Sequence, residues 1–557
     1  MPRTIDAAPA TAGSDWFADY RMVAFISCFI SFLAFLHFAR NGELLLYGDA
    51  VAHMNIARRV MDSRTPGLLQ LGTVWLPLPH LLMLPFVWST QMWQTGVGGS
   101  VPSMLAFVAG AVGIFRLVWI GLSSLPDFRR EARFVAWFAA FAYALNPNLL
   151  YLQATAMTEV LYLASFIWAT VYLAEFAMSL YRGDDARARQ TLVWCGVFLC
   201  LGALTRYDGW FAATIYAIAA LCLLIAASLR SGLEPLHFLF DRAWRKAAIS
   251  FVTLLALTPA IWLTYNALTF DDPLSFVRGP YSARAIEQHS RKPGDPHHPG
   301  WGAPRVAGMY FVKSAEMNVA ATDRSERIWL YAGLLGSVMA VGFLRPLWPW
   351  LLLWVPVFFY AISMAWGGVP IFIPKWWPFS YYNVRYGTQL IPAFVVFGSL
   401  LLYLFLRKFT WQKAKYALAL LAIAFVGWSY YGVWKATPLS LKEAQVNAAD
   451  RITLEKELAA QIELLPPDST LLMYLGQHGG ALQRIAFPLK RTINEGNYRY
   501  WGSALMNPAR MADFIIATDG DPVAEAIKAH PEGLDEIVVV RTLRQNPIRI
   551  YRSTIAH

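Results

Sequence analysis

Charge is scarce in this chain. Of 557 residues only 15% are Asp, Glu, Lys or Arg, whereas 57% are hydrophobic and the mean hydropathy is +0.40. A soluble globular chain carries about 25% charged residues, so the composition excludes the string of three or four water-soluble domains that length alone would predict. Cysteine is scarcer still. Cys28, Cys195, Cys200 and Cys222 all lie in apolar stretches, where they act as small hydrophobes and exclude a disulfide framework or a cysteine metal set. Internal repeats are missing, and the turn-rich run at 288 to 302 is the only compositional tract. Acidic residues are outnumbered, 36 against 47 basic, for a net charge of +11. The surplus is scattered over loops between apolar stretches, which excludes nucleic acid as a partner and reads instead as a set of topology signals.

Long uncharged runs are what the sequence does contain. Residues 211 to 229, FAATIYAIAALCLLIAASL, are long enough to cross a hydrocarbon core of roughly 30 Å. Spans are predicted at 22–39, 101–122, 134–150, 159–181, 190–206, 209–229, 247–267, 328–344, 348–366, 387–406 and 416–435, about eleven crossings in all. The first follows a polar tail with no small-residue cleavage pattern, so a retained helix is expected rather than a signal peptide. Segment 77–92 is apolar but short and broken by Pro77, Pro79 and Pro85, which fits a helix lying at the interface.

Short cytoplasmic loops are enriched in Lys and Arg. Here Arg129, Arg130 and Arg133 mark one such loop, Arg182, Arg187 and Arg189 another, Arg230, Arg242, Arg245 and Lys246 a third, and Arg407, Lys408, Lys413 and Lys415 a fourth. The expected topology has the N-terminus in the cytoplasm and the C-terminus outside it, in a multi-pass protein of the cell (inner) membrane. The fold class is an α-helical polytopic membrane protein. Residues 1–435 form its transmembrane domain and 436–557 a small α/β domain outside the cytoplasm, with strands near 469–475 and 536–541 and a helix near 521–530.

On this topology the candidate chemistry lies in the outer loops. Asp49 and His53 are four apart at the start of a helical pattern, so they share a face. Asp49 is placed to take a proton from an acceptor hydroxyl, with His53 orienting it or sharing a metal; as an alternative it only caps its helix, and His53 is a satisfied structural histidine. Glu159 begins the fourth span, either as a second acid converging on Asp49, which leaves a divalent cation open as cofactor, or as an anion favoured by the helix dipole. Arg206, Lys375 and Arg385 are candidates to grip a lipid phosphate, arginine through its bidentate fork, or else are interfacial anchors in an aromatic belt. His289, His297 and His298 lie among Pro and Gly, as a mobile loop would. Arg116 and Glu175 fall toward the cytoplasmic ends of their spans, unlike the mid-membrane groups of an ion-coupled transporter. A lipid-linked sugar flippase or other transporter stays as the alternative class.

The order of these motifs resembles the GT-C superfamily of membrane glycosyltransferases, on the side of the protein O-mannosyltransferases and aminoarabinose transferases. The likeness rests on Tyr47-Gly48-Asp49, Asn146-Pro147-Asn148 leading to Thr158-Glu159, Thr205-Arg206-Tyr207-Asp208, and Asn383-Val384-Arg385-Tyr386 before an outer domain. It implies transfer of a sugar from a polyprenyl-phosphate donor to a glycan, lipid or protein acceptor beside membrane lipid. Asp49 would be the catalytic base with Glu159, and Arg385 or Arg206 the phosphate ligands. His53, Tyr207, Lys375 and Tyr386 would complete the binding site. The chain departs from the pattern in two respects: many relatives have two adjacent acids in the first loop, whereas here Asp49 is followed by Ala50, and the long acceptor motif of oligosaccharyltransferases is not apparent, so transfer of one sugar is expected over a preassembled glycan.

Overall fold

A computed structural model describes residues 15–125, 129–279, 282, 285, 296–343 and 345–555; His289 lies outside them. Helices account for most of the chain. Up to residue 463 the main ones are, in order, α1 (Asp15–Arg40), α2 (Gly48–Arg59), α3 (Leu78–Val87), α4 (Val97–Ser123), α5 (Arg129–Ala144), α6 (Glu159–Arg182), α7 (Asp185–Ala203), α8 (Asp208–Arg230), α9 (Arg242–Phe270), α10 (Pro304–Val319), α11 (Asp323–Phe343), α12 (Val355–Ala365), α13 (Ile391–Lys408), α14 (Gln412–Lys435) and α15 (Leu439–Glu463).

Eight of the expected spans coincide with helices long and apolar enough to cross a membrane. The other three are carried by α5, α7 and α11, and local chemistry sets their bounds. α5 stops at Ala144 rather than running to 150. Asn146 accepts from the N–H groups of Asn148 and Leu149 and caps a new short helix, with Pro147 in its first turn. α7 starts on the Asp184 cap and α11 on Asp323, Arg324, Glu326 and Arg327, so charge occupies their first turns. Segment 77–92 forms the 10-residue α3 and the short helix Thr90–Thr95, neither long enough to span.

Inside the bundle the close packing is carried by small residues. Gly387 needs no side chain: a Cβ there would meet the Ala315 nitrogen at 2.5 Å, so the turn 384–390 lies directly on α10. Among charges inside the spans, Glu175 binds Arg116 at 2.7 Å and Arg187 at 2.7 Å.

After α15 the chain builds a five-stranded sheet from β1 (Leu471–Met473), β2 (Thr492–Ile493), β3 (Phe514–Thr518), β4 (Leu534–Val540) and β5 (Ile548–Ser553), in the order β2-β1-β3-β5-β4. β1 runs parallel to β2 and β3, and β5 is antiparallel to β3 and β4. Leu472, Ile493, Ile515, Val523 and Ile527 form its own core. Its helix at Pro522–Ala529 falls where the sequence pattern placed one.

Candidate active site

Three carboxylates from distant parts of the chain meet on one guanidinium. Arg385 reaches Asp49 Oδ2 through Nη2 at 2.7 Å, Glu159 Oε1 through Nε at 3.0 Å and Glu443 Oε1 through Nη1 at 2.7 Å. The side chains of Arg385, Glu159 and Glu443 are 6%, 0% and 1% exposed, whereas Asp49 is 43% exposed. Asp49 is therefore the open end of an otherwise buried network.

Local structure explains the convergence. Asn383 takes the left-handed conformation, φ 54°, which asparagine tolerates better than most residues. That turn aims two backbone donors at Glu443: Asn383 N–H to Oε1 at 2.8 Å and Arg385 N–H to Oε2 at 3.3 Å. α2 is tied down from the C-terminal side, because Arg451 donates to the carbonyls of Leu45 and Leu46 and Tyr47 donates to the Ser440 carbonyl at 2.7 Å. Helix α15, beyond the last span, thus supplies both a carboxylate and a clamp to the first loop.

A second arginine extends the network. Arg206 binds Glu159 Oε1 at 3.2 Å, Thr158 Oγ1 at 3.1 Å, Asp208 Oδ2 at 3.1 Å and the Tyr360 hydroxyl at 3.2 Å. Gln389 also donates to Asp208, at 2.6 Å. Tyr386 lies between the two cations, 4.8 Å from Arg206 and 5.1 Å from Arg385, and Tyr47 covers Arg385 at 4.9 Å. The network holds two arginines against Asp49, Glu159, Asp208 and Glu443, an excess of two acidic side chains. Glu159 Oε2 and Asp208 Oδ1 are buried without a hydrogen-bond partner among the described residues, so negative potential is left unbalanced.

Several expectations change here. Asp49 is not an N-cap: Tyr47 holds that position, and Asp49 sits in the first turn of α2 with its carboxylate on Arg385. The guanidinium of Arg385 is spent on carboxylates at all three nitrogens, so the free phosphate-gripping fork expected of it is not the arrangement present. Arg206 is engaged at all three nitrogens too, by the carboxylates of Asp208 and Glu159 and the hydroxyls of Thr158 and Tyr360. Lys375 belongs to a separate cluster, bound to Asp323 at 2.6 Å and Glu326 at 2.7 Å. Tyr207 turns away from the arginines, donates to the Val74 carbonyl and stacks on Phe276. His53 shares the face of Asp49 but bonds His80, Nδ1 to Nε2, at 2.9 Å. His297 stacks on Trp301, and His298 Nδ1 meets the Pro299 carbonyl oxygen. Among the described residues no group of three or more His, Cys, Asp or Glu side chains has the placement to hold a metal ion. Glu443 escaped the sequence reading because nothing in the pattern of α15 distinguishes it from a solvated helix glutamate.

Burial, with the cations Arg206 and Arg385 nearby, lowers the His53 pKa from 6.5 to about 3, and burial likewise drives His80 well below its usual value. A histidine held neutral when folded but free to charge when unfolded makes the unfolded state bind more protons between about pH 3 and 6.5. Stability from this source is present at neutral pH and is lost as pH falls through that window. Lowering the pH from 7.5 to 5 is expected to cost ~2 kcal/mol through His53. Thermal unfolding of the parent and of His53→Gln at both pH values checks this: the variant should lose less stability on acidification.

Comparison with solved structures now gives the architecture its class. The chain shares its fold with a protein of known structure. Over 97% of its length it aligns with 98% of ArnT from Cupriavidus metallidurans, determined bound to undecaprenyl phosphate, with a TM-score of 0.53 and 12% sequence identity. The oligosaccharyltransferase AglB from Archaeoglobus fulgidus aligns with 92% of this chain over 73% of its own, at 13% identity and a TM-score of 0.43, a likeness too loose to carry an argument. No family model matches the chain, and no curated protein does.

Proposed function

We propose that this chain is a membrane glycosyltransferase that moves a sugar from a polyprenyl-phosphate donor to an acceptor at the outer face of the membrane. The observation that carries the reading is the half-open carboxylate of Asp49 at the end of a buried ion network.

In the proposed reaction one oxygen of Asp49 stays on Arg385 while the other takes the acceptor hydroxyl proton. The acceptor oxygen attacks the anomeric carbon as the bond to the phosphate oxygen breaks, a single displacement with inversion. Positive charge develops on the sugar ring in such a step. Asp49 is neutralised as it takes the proton, and Glu159, Asp208 and Glu443 still outnumber Arg385 and Arg206 by one, a charge suited to stabilise the positive ring, since fixed charges in a poorly solvated site need no reorganisation. Arg385 acts as a positioning residue that keeps the Asp49 carboxylate aimed. The transporter alternative finds no comparable support, because Arg116 and Glu175 are bound to each other and to Arg187 as a structural tie.

The outer face follows from the basic loops, and Asp49, Arg385 and Glu443 must share whichever side it is. A reporter active only outside the cytoplasm should therefore be active when fused after residue 440 and inactive when fused at 185. The reverse pattern would place the site on the cytoplasmic side. Transfer itself is tested by incubating purified protein with a radiolabelled sugar on polyprenyl phosphate and an envelope extract: label should leave the lipid fraction for the acceptor fraction.

A further inference from the structure

Helix α10 has two working faces. One supports the reaction centre: Phe311 stacks on Tyr360 at 4.4 Å, and Ser314 and Asn318 donate to the Val384 carbonyl at 2.7 and 2.8 Å, next to Arg385. The other roofs a groove of about 1070 Å³ that opens between α11 and α12. Val312 of α10 and, below it, Leu330, Tyr331, Val357, Phe358 and Ala361 make its walls apolar. At its rim stand four cations, Arg305, Lys313, Arg327 and Lys375, against the acids Glu316 and Asp323.

These cations are not equivalent. Lys313 is bound to Glu316 at 2.9 Å and Glu326 at 2.6 Å, and Lys375 to Asp323 and Glu326. Two lysines thus offset two of the three carboxylates Glu316, Asp323 and Glu326, and with Arg305 and Arg327 the cluster keeps one net positive charge. Arg305 and Arg327 are exposed and have no ion pair among the described residues. Two uncommitted guanidinium forks above an apolar cleft match an anionic headgroup above an acyl chain, and arginine suits phosphate through its planar donors.

We propose that this groove binds an anionic glycerophospholipid of the bilayer, its phosphate on Arg305 and Arg327 and one acyl chain between α11 and α12. It is separate from the reaction centre, because α12 turns Tyr360 toward Arg206 and Asp208 and turns Val357, Phe358 and Ala361 toward the groove. The assignment requires that the chain sits in a membrane but does not depend on glycosyl transfer.

Native mass spectrometry of the full-length protein, titrated with phosphatidylglycerol or with phosphatidylcholine of the same chains, tests it. Phosphatidylglycerol is expected to bind at least about tenfold more tightly. Arg305→Gln and Arg327→Gln should each weaken it about fivefold and together about thirtyfold, with phosphatidylcholine unchanged. Leu330→Trp, which fills the cleft without altering charge, should abolish tight binding of the anionic lipid. Equal affinity for the two lipids overturns the assignment, as does a preference that survives both the double substitution and Leu330→Trp. Displacement of phosphatidylglycerol by equimolar undecaprenyl phosphate overturns it as well, because the groove would then belong to the donor.

Discussion

Asp49→Asn is expected to fold like the parent and to lose turnover by a factor on the order of 10² to 10⁴, the range that general-base catalysis supplies. The amide keeps the shape of the carboxylate, and its oxygen still accepts from Arg385 Nη2, which lies 2.7 Å away in the parent. What it cannot do is take a proton. Because Tyr47 and not Asp49 is the N-cap of α2, the substitution removes no helix cap, and even Asp49→Ala should leave α2 formed. Steady-state transfer rates, read beside thermal unfolding in the same detergent, check both halves. A variant that transfers at the parental rate would remove Asp49 from the chemistry.

Glu443→Ala is expected to be the most disruptive single change at the site. It removes one carboxylate from a buried guanidinium and leaves the backbone donors of Asn383 and Arg385 without acceptors, both of which Glu443 now satisfies. Breaking a buried ion pair by deleting one partner typically costs ~3–5 kcal/mol, and Arg385 retains two other carboxylates, so the lower end applies, about 3 kcal/mol. Turnover should fall as well, because Arg385 is then free to shift and carry Asp49 with it. Glu443→Gln, which keeps an oxygen for the backbone donors, should recover most of the stability while activity stays low. Equal loss of stability in both variants would mean that charge, rather than the backbone bonds, holds the turn 383–385.

The sequence made the bundle legible because apolar length is a local property: eight of the predicted spans coincide with apolar helices. It also showed three members of the centre, Asp49, Glu159 and Arg385, since each stands as an isolated charge at the edge of an apolar run. Their mutual contact was beyond it. Asp49 and Arg385 are separated by 336 residues and Arg385 and Glu443 by 58, and periodicity defines the face of a helix without naming what it meets. Lys375 shows the limit most clearly. It lies ten residues before Arg385 in the same aromatic run, yet the bridge between Phe372 and Tyr382 and the left-handed turn at Asn383 send the two to different clusters. Glu443 was invisible because its role depends on α15 folding back over the first loop, which the composition of α15 does not encode.

The most direct test of the central claim is the fate of the donor in sealed proteoliposomes holding purified protein and a polyprenyl phosphate carrying a radiolabelled sugar. The reading predicts release of free polyprenyl phosphate matched by label in the acceptor fraction, dependent on added acceptor and lost in Asp49→Asn. Donor that crosses the bilayer with its sugar still attached, at the same rate in the parent and in Asp49→Asn, would contradict it.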